Sequence, residues 1–211
     1  MADYVFASSY NDALLNYYKT LKGEKDFMYR ACLNNKALIF QGQGNYGKAI
    51  DIFQELLHYS QTDELPDTTR ITTGMNNLAY CYRLMGKNDE ALNLFLSAYE
   101  LESKCASIEL QDKASLLNNL AIVYKAKNDY SNAEKYFLKS LALYQQANYQ
   151  GTIDYANPCN NLGDMYRMLG NYREAIKYRT GASEIRRTLT GEEKRYYANA
   201  LDNASLVYMQ F

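Results

Sequence analysis

NNLAYCYRLMGKNDEALNLF (76–95), NNLAIVYKAKNDYSNAEKYF (118–137) and NNLGDMYRMLGNYREAIKYR (160–179) are three copies of one pattern. A fourth, NNKALIFQGQGNYGKAIDIF (34–53), precedes them, and each start lies 42 residues after the last. A further 42 residues lands on 202, where DNASLVYMQF (202–211) begins. Subtracting 42 from Asn45-Tyr46 lands on Asp3-Tyr4, and Ala49 falls on Ala7. A spacing that holds without drift along the whole chain is the mark of a repeat architecture, in which each unit stacks on the next.

Inside each unit the apolar positions give the geometry. Met75, Leu78, Ala79 and Tyr82 follow an i, i+3, i+4, i+7 pattern, as do Leu117, Leu120, Ala121 and Tyr124, then Cys159, Leu162, Gly163 and Tyr166. That pattern is one face of a helix. A turn follows at Gly86-Lys87-Asn88, at Lys127-Asn128-Asp129 and at Gly170-Asn171, residue types that tolerate the left-handed region or bond their own backbone. A second helix then carries Ala91, Phe95 and Ala98, or Ala133, Phe137 and Ser140, on one stripe. Small residues at the crossing let the paired helices approach. Each helix–turn–helix has an apolar face that it cannot bury alone, so the expected fold is an all-α solenoid of antiparallel helix pairs.

L-A/G-x-x-Y followed by A-x-x-x-F, carried by Leu78-Ala79, Tyr82, Ala91 and Phe95 and their equivalents, resembles the tetratricopeptide repeat (TPR) family. The usual family repeat is about 34 residues, and the longer period with its LNNLA-like openings is similar to the 42-residue variety of kinesin light chains. The resemblance implies a right-handed TPR superhelix over residues 1–211. It divides into the second helix of a partial repeat (1–22), repeats at 27–66, 67–108, 109–150 and 151–190, and the first helix of a partial repeat (194–211). Three residues depart from the pattern: Lys36 where leucine is expected, Arg179 where phenylalanine is, and Asn88 where tyrosine is. Lys36 should weaken the first full unit, while the other two read as ordinary variation. Arrays normally end on a polar-faced cap, whereas LVYMQF is apolar, so the chain reads as a segment of a longer protein or as one whose end packs on a second copy, with end-to-end self-association through the terminal helices.

First helices line the concave face of such a superhelix, and two columns of residues stand on the stripes opposite the packed one. Asparagine recurs at Asn35, Asn77, Asn119, Asn161 and Asn203, with Asn34, Asn76, Asn118, Asn160 and Asp202 just before. Asparagine is a mediocre helix former, so its repetition is not a folding requirement. Its amide both donates and accepts and can pair with the backbone of an extended peptide. In the family the second asparagine is a common peptide-contacting residue, which the resemblance implies for this column; the packing alternative is that the amides bridge adjacent helices. Farther along each helix, Arg83, Lys125 and Arg167 form a basic column that suits Asp or Glu in a ligand. Tyr80 and Ile122 add apolar contact, and Asp164 interrupts the strip. The expected partner is a protein or an extended, acidic, partly apolar peptide.

Composition narrows the field. With 23 basic and 24 acidic residues and a net charge of -1, no strong field draws nucleic acid or a membrane surface. No apolar run approaches the roughly 20 residues of a membrane span, and MADYVFASSY lacks the form of a secretory signal. Cytoplasmic location follows as the default. Cys32, Cys81, Cys105 and Cys159 form no CxxC pair and read as reduced, packed thiols, and His58 has no partner motif. There is no phosphate-binding glycine loop, HExxH or GxSxG, so no enzyme, cofactor or metal site is expected. The tyrosines at 82, 124, 166 and 208 read as inter-helix packing residues. Arrays resembling this one also precede effector domains in bacterial peptide-sensing regulators and protease-linked signalling proteins. The alternative function is therefore a ligand-sensing module of a larger regulator.

Overall fold

The computed structural model describes residues 2–189, with side chains from residue 8 onward. The described residues form helices α1 (Ala2–Lys22), α2 (Phe27–Gly42), α3 (Tyr46–Thr62), α4 (Thr68–Leu84), α5 (Asn88–Lys104), α6 (Leu110–Ala126), α7 (Tyr130–Gln146), α8 (Ile153–Met168) and α9 (Tyr172–Thr188). They contain no strand. The expected helix at 194–211, with Asn203, lies outside the described residues.

The turns between paired helices are set by one backbone requirement. Gly44, Gly86, Asn128 and Gly170, each 42 residues from the next, all hold φ between 61° and 75°. In this left-handed conformation the next amide reaches back over the helix end: Lys87 N donates to Tyr82 O, Asp129 N to Tyr124 O and Asn171 N to Tyr166 O, each at 2.9 Å. That satisfies a carbonyl the helix end would leave orphaned. Glycine adopts this φ without cost, and asparagine is the side-chain-bearing residue that tolerates it best. Helix starts are sealed from the other side. Asp26 accepts from Met28 N and Tyr29 N, Asp67 from Thr69 N and Arg70 N, and Thr152 from Tyr155 N.

The described residues fall into two compact units, one with α1–α5 that ends at Cys105 and one with α6–α9 that starts at Ala106. In the first, Ala37, Ala49, Ile50, Phe53, Leu78 and Cys81 make a buried cluster, flanked by Phe40, Leu56 and Tyr82. In the second, Leu120, Val123, Phe137, Leu162 and Met165 are fully buried. Each such side chain contributes about 1.5–3 kcal/mol through removal from water. The alanines at 49, 91, 133 and 175 are all fully buried, so the small crossing position of each second helix is filled the same way.

Three departures from the repeat pattern are compensated by polar contacts. Leu78, Leu120 and Leu162 are at most 4% exposed, but Lys36 in the same register turns its ammonium to Asp12 of α1 at 2.8 Å. Beside it, Asn11 takes the register position of Phe53 and donates to Cys32 O of α2 at 3.0 Å. The reading of Arg179 as ordinary variation needs correction. Its side chain is 3% exposed, and Nη1 meets Asp164 Oδ1 at 2.6 Å. It fits because position 163, alanine in the registers of 79 and 121, is glycine: a Cβ there would stand 2.6 Å from Arg179 Cγ. Gly163, Asp164 and Arg179 are one arrangement.

Candidate functional site

In the second unit α6 and α8 carry the candidate residues. Asn161 Nδ2 of α8 donates to Asn118 Oδ1 of α6 at 3.2 Å, so the second asparagine of one repeat reaches the first asparagine of the repeat before it. Here the helix-bridging role is filled. The bond still leaves Asn118 Nδ2 as a donor and Asn161 Oδ1 as an acceptor, and both residues stay half-buried. Asn119 is also half-buried and has its own interaction partner.

One and a half turns farther along α6 stands Lys125. The residue is half-buried, and its side chain makes no ion pair or hydrogen bond among the described residues. Loss of water pulls its pKa below the ordinary lysine value, and the nearby Asp164 carboxylate opposes that shift. Asp164 is already held by Arg179, whose Nε is buried without a partner. The acid that interrupts the basic column in sequence is thus tied to a cation from the helix behind it. Arg167 of α8 is half-buried and makes no ion pair among the described residues.

The first unit presents different chemistry. Asn35 is exposed and Asn77 half-buried. The Arg83 guanidinium lies 4.5 Å from the centroid of the Tyr80 ring, and its Nε is buried without a hydrogen-bond partner. A cation over a tyrosine face is held in place at about 0.5–2 kcal/mol. Arg83 is therefore set by Tyr80, and the two form one amphipathic surface.

A cavity of about 250 Å³ opens among α2, α3 and α4. Phe53, Leu56 and Ala31 give it apolar walls, and Phe27, 64% exposed, stands at its rim. Arg30 and Arg70 border it, the former bonded to Asp63 at 2.6 Å and the latter contacting Asp67 through Nε at 3.2 Å. Sites for drug-sized molecules run from about 300 to 1,000 Å³, so this volume suits one side chain. The periodic columns gave no hint of it. The available signal was Gly74, in the register where Cys32, Leu116 and Pro158 place larger buried side chains.

All four cysteines are free, with Cys32, Cys81 and Cys159 buried. Burial pushes the Cys81 thiol up to about 11 and the Cys159 thiol to about 12. His58 is exposed beside the Tyr59 ring. Among the described residues no His, Cys, Asp and Glu side chains gather in a group that could hold a metal ion, and no helix is long and apolar enough to cross a membrane.

Tetratricopeptide repeat profiles match residues 70–146 and 159–193, together more than half of the chain. The chain belongs to the tetratricopeptide repeat family. Proteins of this family are protein-interaction scaffolds, and the all-α repeat solenoid described above is their fold. Among solved structures the chain is similar to BtubC (BKLC) from P. vanneervenii, with a TM-score of 0.84 at 22% identity over 98% of this chain and 83% of that one. It is also similar to the nearly identical TPR-like repeats of a Podosopora anserina protein described as a kinesin light chain. A point-substituted form of those repeats gives a TM-score of 0.69 at 13% identity over 88% of this chain and 87% of that chain. A second structure of the repeats gives 0.67 at 14% identity, covering 90% of each. At such identities the likeness speaks for the fold alone. No curated protein sequence matches the chain.

Proposed function

We propose that this TPR protein is a non-catalytic scaffold that holds an extended, acidic, partly apolar peptide, or a partner protein displaying one, on the exposed faces of its first helices. The observation that carries the reading is Lys125. An ammonium withdrawn from water with no acceptor is costly, and an incoming carboxylate supplies the missing partner through a charge-assisted hydrogen bond. The Asp164 carboxylate, bonded through Oδ1 to Arg179, acts on Lys125 through its charge but makes no ion pair with it. Arg167 adds a second cation in the same unit, and the Asn118–Asn161 pair offers one donor and one acceptor to a peptide backbone. In the first unit, Asn35 and Asn77 have the same role, Arg83 on Tyr80 receives a carboxylate, and the 250 Å³ cavity receives an apolar side chain. Four free thiols, three of them buried, suit a reducing compartment, in keeping with a cytoplasmic protein.

The test is fluorescence anisotropy with a peptide array in which Asp and Glu alternate with apolar residues, set against the same peptides with Asn and Gln. Acidic peptides should bind more tightly, the preference should shrink as salt rises, and Lys125→Glu should weaken it at least tenfold with helical content unchanged. Equal binding of acidic and amide peptides, or an unchanged preference in Lys125→Glu, would sink the proposal.

A further inference from the structure

The cavity among α2, α3 and α4 stands where the repeat pattern is broken at three positions. In the register of Gly74 the other repeats bury Cys32, Leu116 and Pro158. The nearest atoms to a Cβ built on Gly74 belong to Leu57, the closest at 3.5 Å, so the packing has room for a larger residue. In the register of Arg30 the second unit carries the buried alanines Ala114 and Ala156, and in that of Arg70 it carries Asp112 and Asp154. A hollow and two guanidiniums thus occur together at one place, and the repeat requires none of them. Walls that face an unfilled hollow forfeit van der Waals contacts, which points to an occupant.

The lining describes that occupant. Its body is apolar and the size of one side chain, to match the walls formed by Phe53, Leu56 and Ala31. Its head is anionic. Arg30, 14% exposed along its side chain, is bonded through Nη1 to Asp63 and lies 4.8 Å from the Tyr59 ring centroid, so it is fixed in place. The hydrogen bond from Arg30 holds the Asp63 carboxyl below the usual carboxylate range, and the charge of Arg70 adds to this, so both cations act at one spot. Arg70 lies 5.7 Å from the Phe27 ring centroid and contacts Asp67 through Nε. Its two Nη groups make no hydrogen bond among the described residues, and they form the edge of a guanidinium that meets both oxygens of a carboxylate.

We infer that the cavity takes the C-terminal residue of a partner polypeptide, an apolar side chain such as leucine filling the hollow and the free α-carboxylate lying on Arg70. A polypeptide carries an apolar side chain and a carboxylate on one carbon only at its C-terminus; Asp and Glu put the carboxylate where the apolar group would have to be. Asn34, on the same wall, offers its amide to the last peptide unit. The inference rests on the reading of the first unit as a peptide site and names the end of the ligand that sits there.

Isothermal titration calorimetry on the full 211-residue chain tests it with short peptides that lack Asp and Glu and end in leucine, as free acid and as C-terminal amide. The free acid should bind about ten- to a hundredfold more tightly than the amide, and a terminal glycine should weaken it to a similar degree. Arg70→Gln should erase the preference for the acid; Arg70 is chosen because Arg30 also ties α2 to Asp63. Gly74→Leu fills the hollow. It should keep or raise Tm, because leucine is the better helix former and the Cβ contacts are ordinary, and it should abolish binding. Arg70→Gln decides the matter even if Gly74→Leu unfolds. Lys125→Glu should leave the preference unchanged, so failure here and failure of the acidic-peptide test are separable. Equal binding of acid and amide, a preference that persists in Arg70→Gln, or one that is lost in Lys125→Glu would overturn the inference. N-acetylleucine binding as tightly as the peptides would also overturn it, by assigning the cavity to a small carboxylate.

Discussion

Replacing Gly163 with alanine should destabilise the protein although alanine is the better helix former. In an open helix interior the exchange gains about 1 kcal/mol. At Gly163 the new Cβ would stand 2.6 Å from Arg179 Cγ, 3.2 Å from Ala175 O and 3.3 Å from Arg179 N. Two of these atoms are backbone, and the third sits near the root of a side chain pinned at its far end by Asp164. Relief therefore requires α8 and α9 to move apart. Overpacking of this kind costs about 1–3 kcal/mol, so the net loss is up to about 2 kcal/mol, and a chain of this size loses about 2–4 °C of Tm per kcal/mol. Gly181 of α9, in the same helix pair, supplies the control. A Cβ there meets nothing within 4 Å, and Gly181→Ala should raise Tm by the helix gain alone. Far-UV circular dichroism melts of the two variants measure the difference. The double variant Gly163→Ala/Arg179→Phe, which restores the alanine and phenylalanine of the registers at 79 and 95, should recover most of the loss. A Gly163→Ala variant as stable as Gly181→Ala would refute the close packing of Arg179 on α8.

Lys125→Met should raise Tm while weakening acidic peptides, because it removes a desolvated ammonium. The folded pKa of Lys125 lies below that of the unfolded chain, so the folded form binds fewer protons and stability rises as pH climbs toward 10.5; this contribution should vanish in the variant, as melts across that range would show. Asn128 holds φ 61°, so Asn128→Val should cost about 1–2 kcal/mol and Asn128→Gly next to nothing, read from the same melts. Burial holds the thiol pKa of Cys81 at about 11 and of Cys159 at about 12, which depletes thiolate about a hundredfold or more near neutral pH. Ellman's reagent at about pH 8 should therefore label half-buried Cys105 in the native protein and reach Cys81 and Cys159 only on unfolding. In the same sense, both buried thiols favour the folded state less as pH rises above about 9 toward those values.

The helix register was legible because a repeat presents each requirement several times over. Gly86, Asn128 and Gly170 were readable as turns from residue type, since few residues accept a positive φ, and all three have one. The contacts that cross columns were not legible. Arg179 looks like a simple departure when its column is read alone; its meaning comes from Gly163 and Asp164, which stand in two other columns and converge only when α8 packs on α9. The asparagine columns leave both a ligand contact and a bridge between helices open, and that Asn161 bridges to Asn118 follows from the spacing of α8 and α6. The cavity beside Gly74 depends on how far α2 and α4 stand apart over α3, a distance that no pattern of types encodes.

The arrangement at Arg179 also bears on which parts of this chain can be exchanged. Repeats of equal length invite recombination at any matching point, and most helices here would find a tolerable neighbour after such a swap. The pair α8–α9 would not. Transplanting α9 behind an alanine-bearing first helix drives arginine into a methyl group, and moving α8 in front of a phenylalanine-bearing second helix strips Asp164 of its counter-ion and removes the methyl that alanine supplies. The helices of that pair must be inherited together, which makes the turn at Gly170 the least suitable junction for grafting repeats from this protein and the connections between repeats the natural ones.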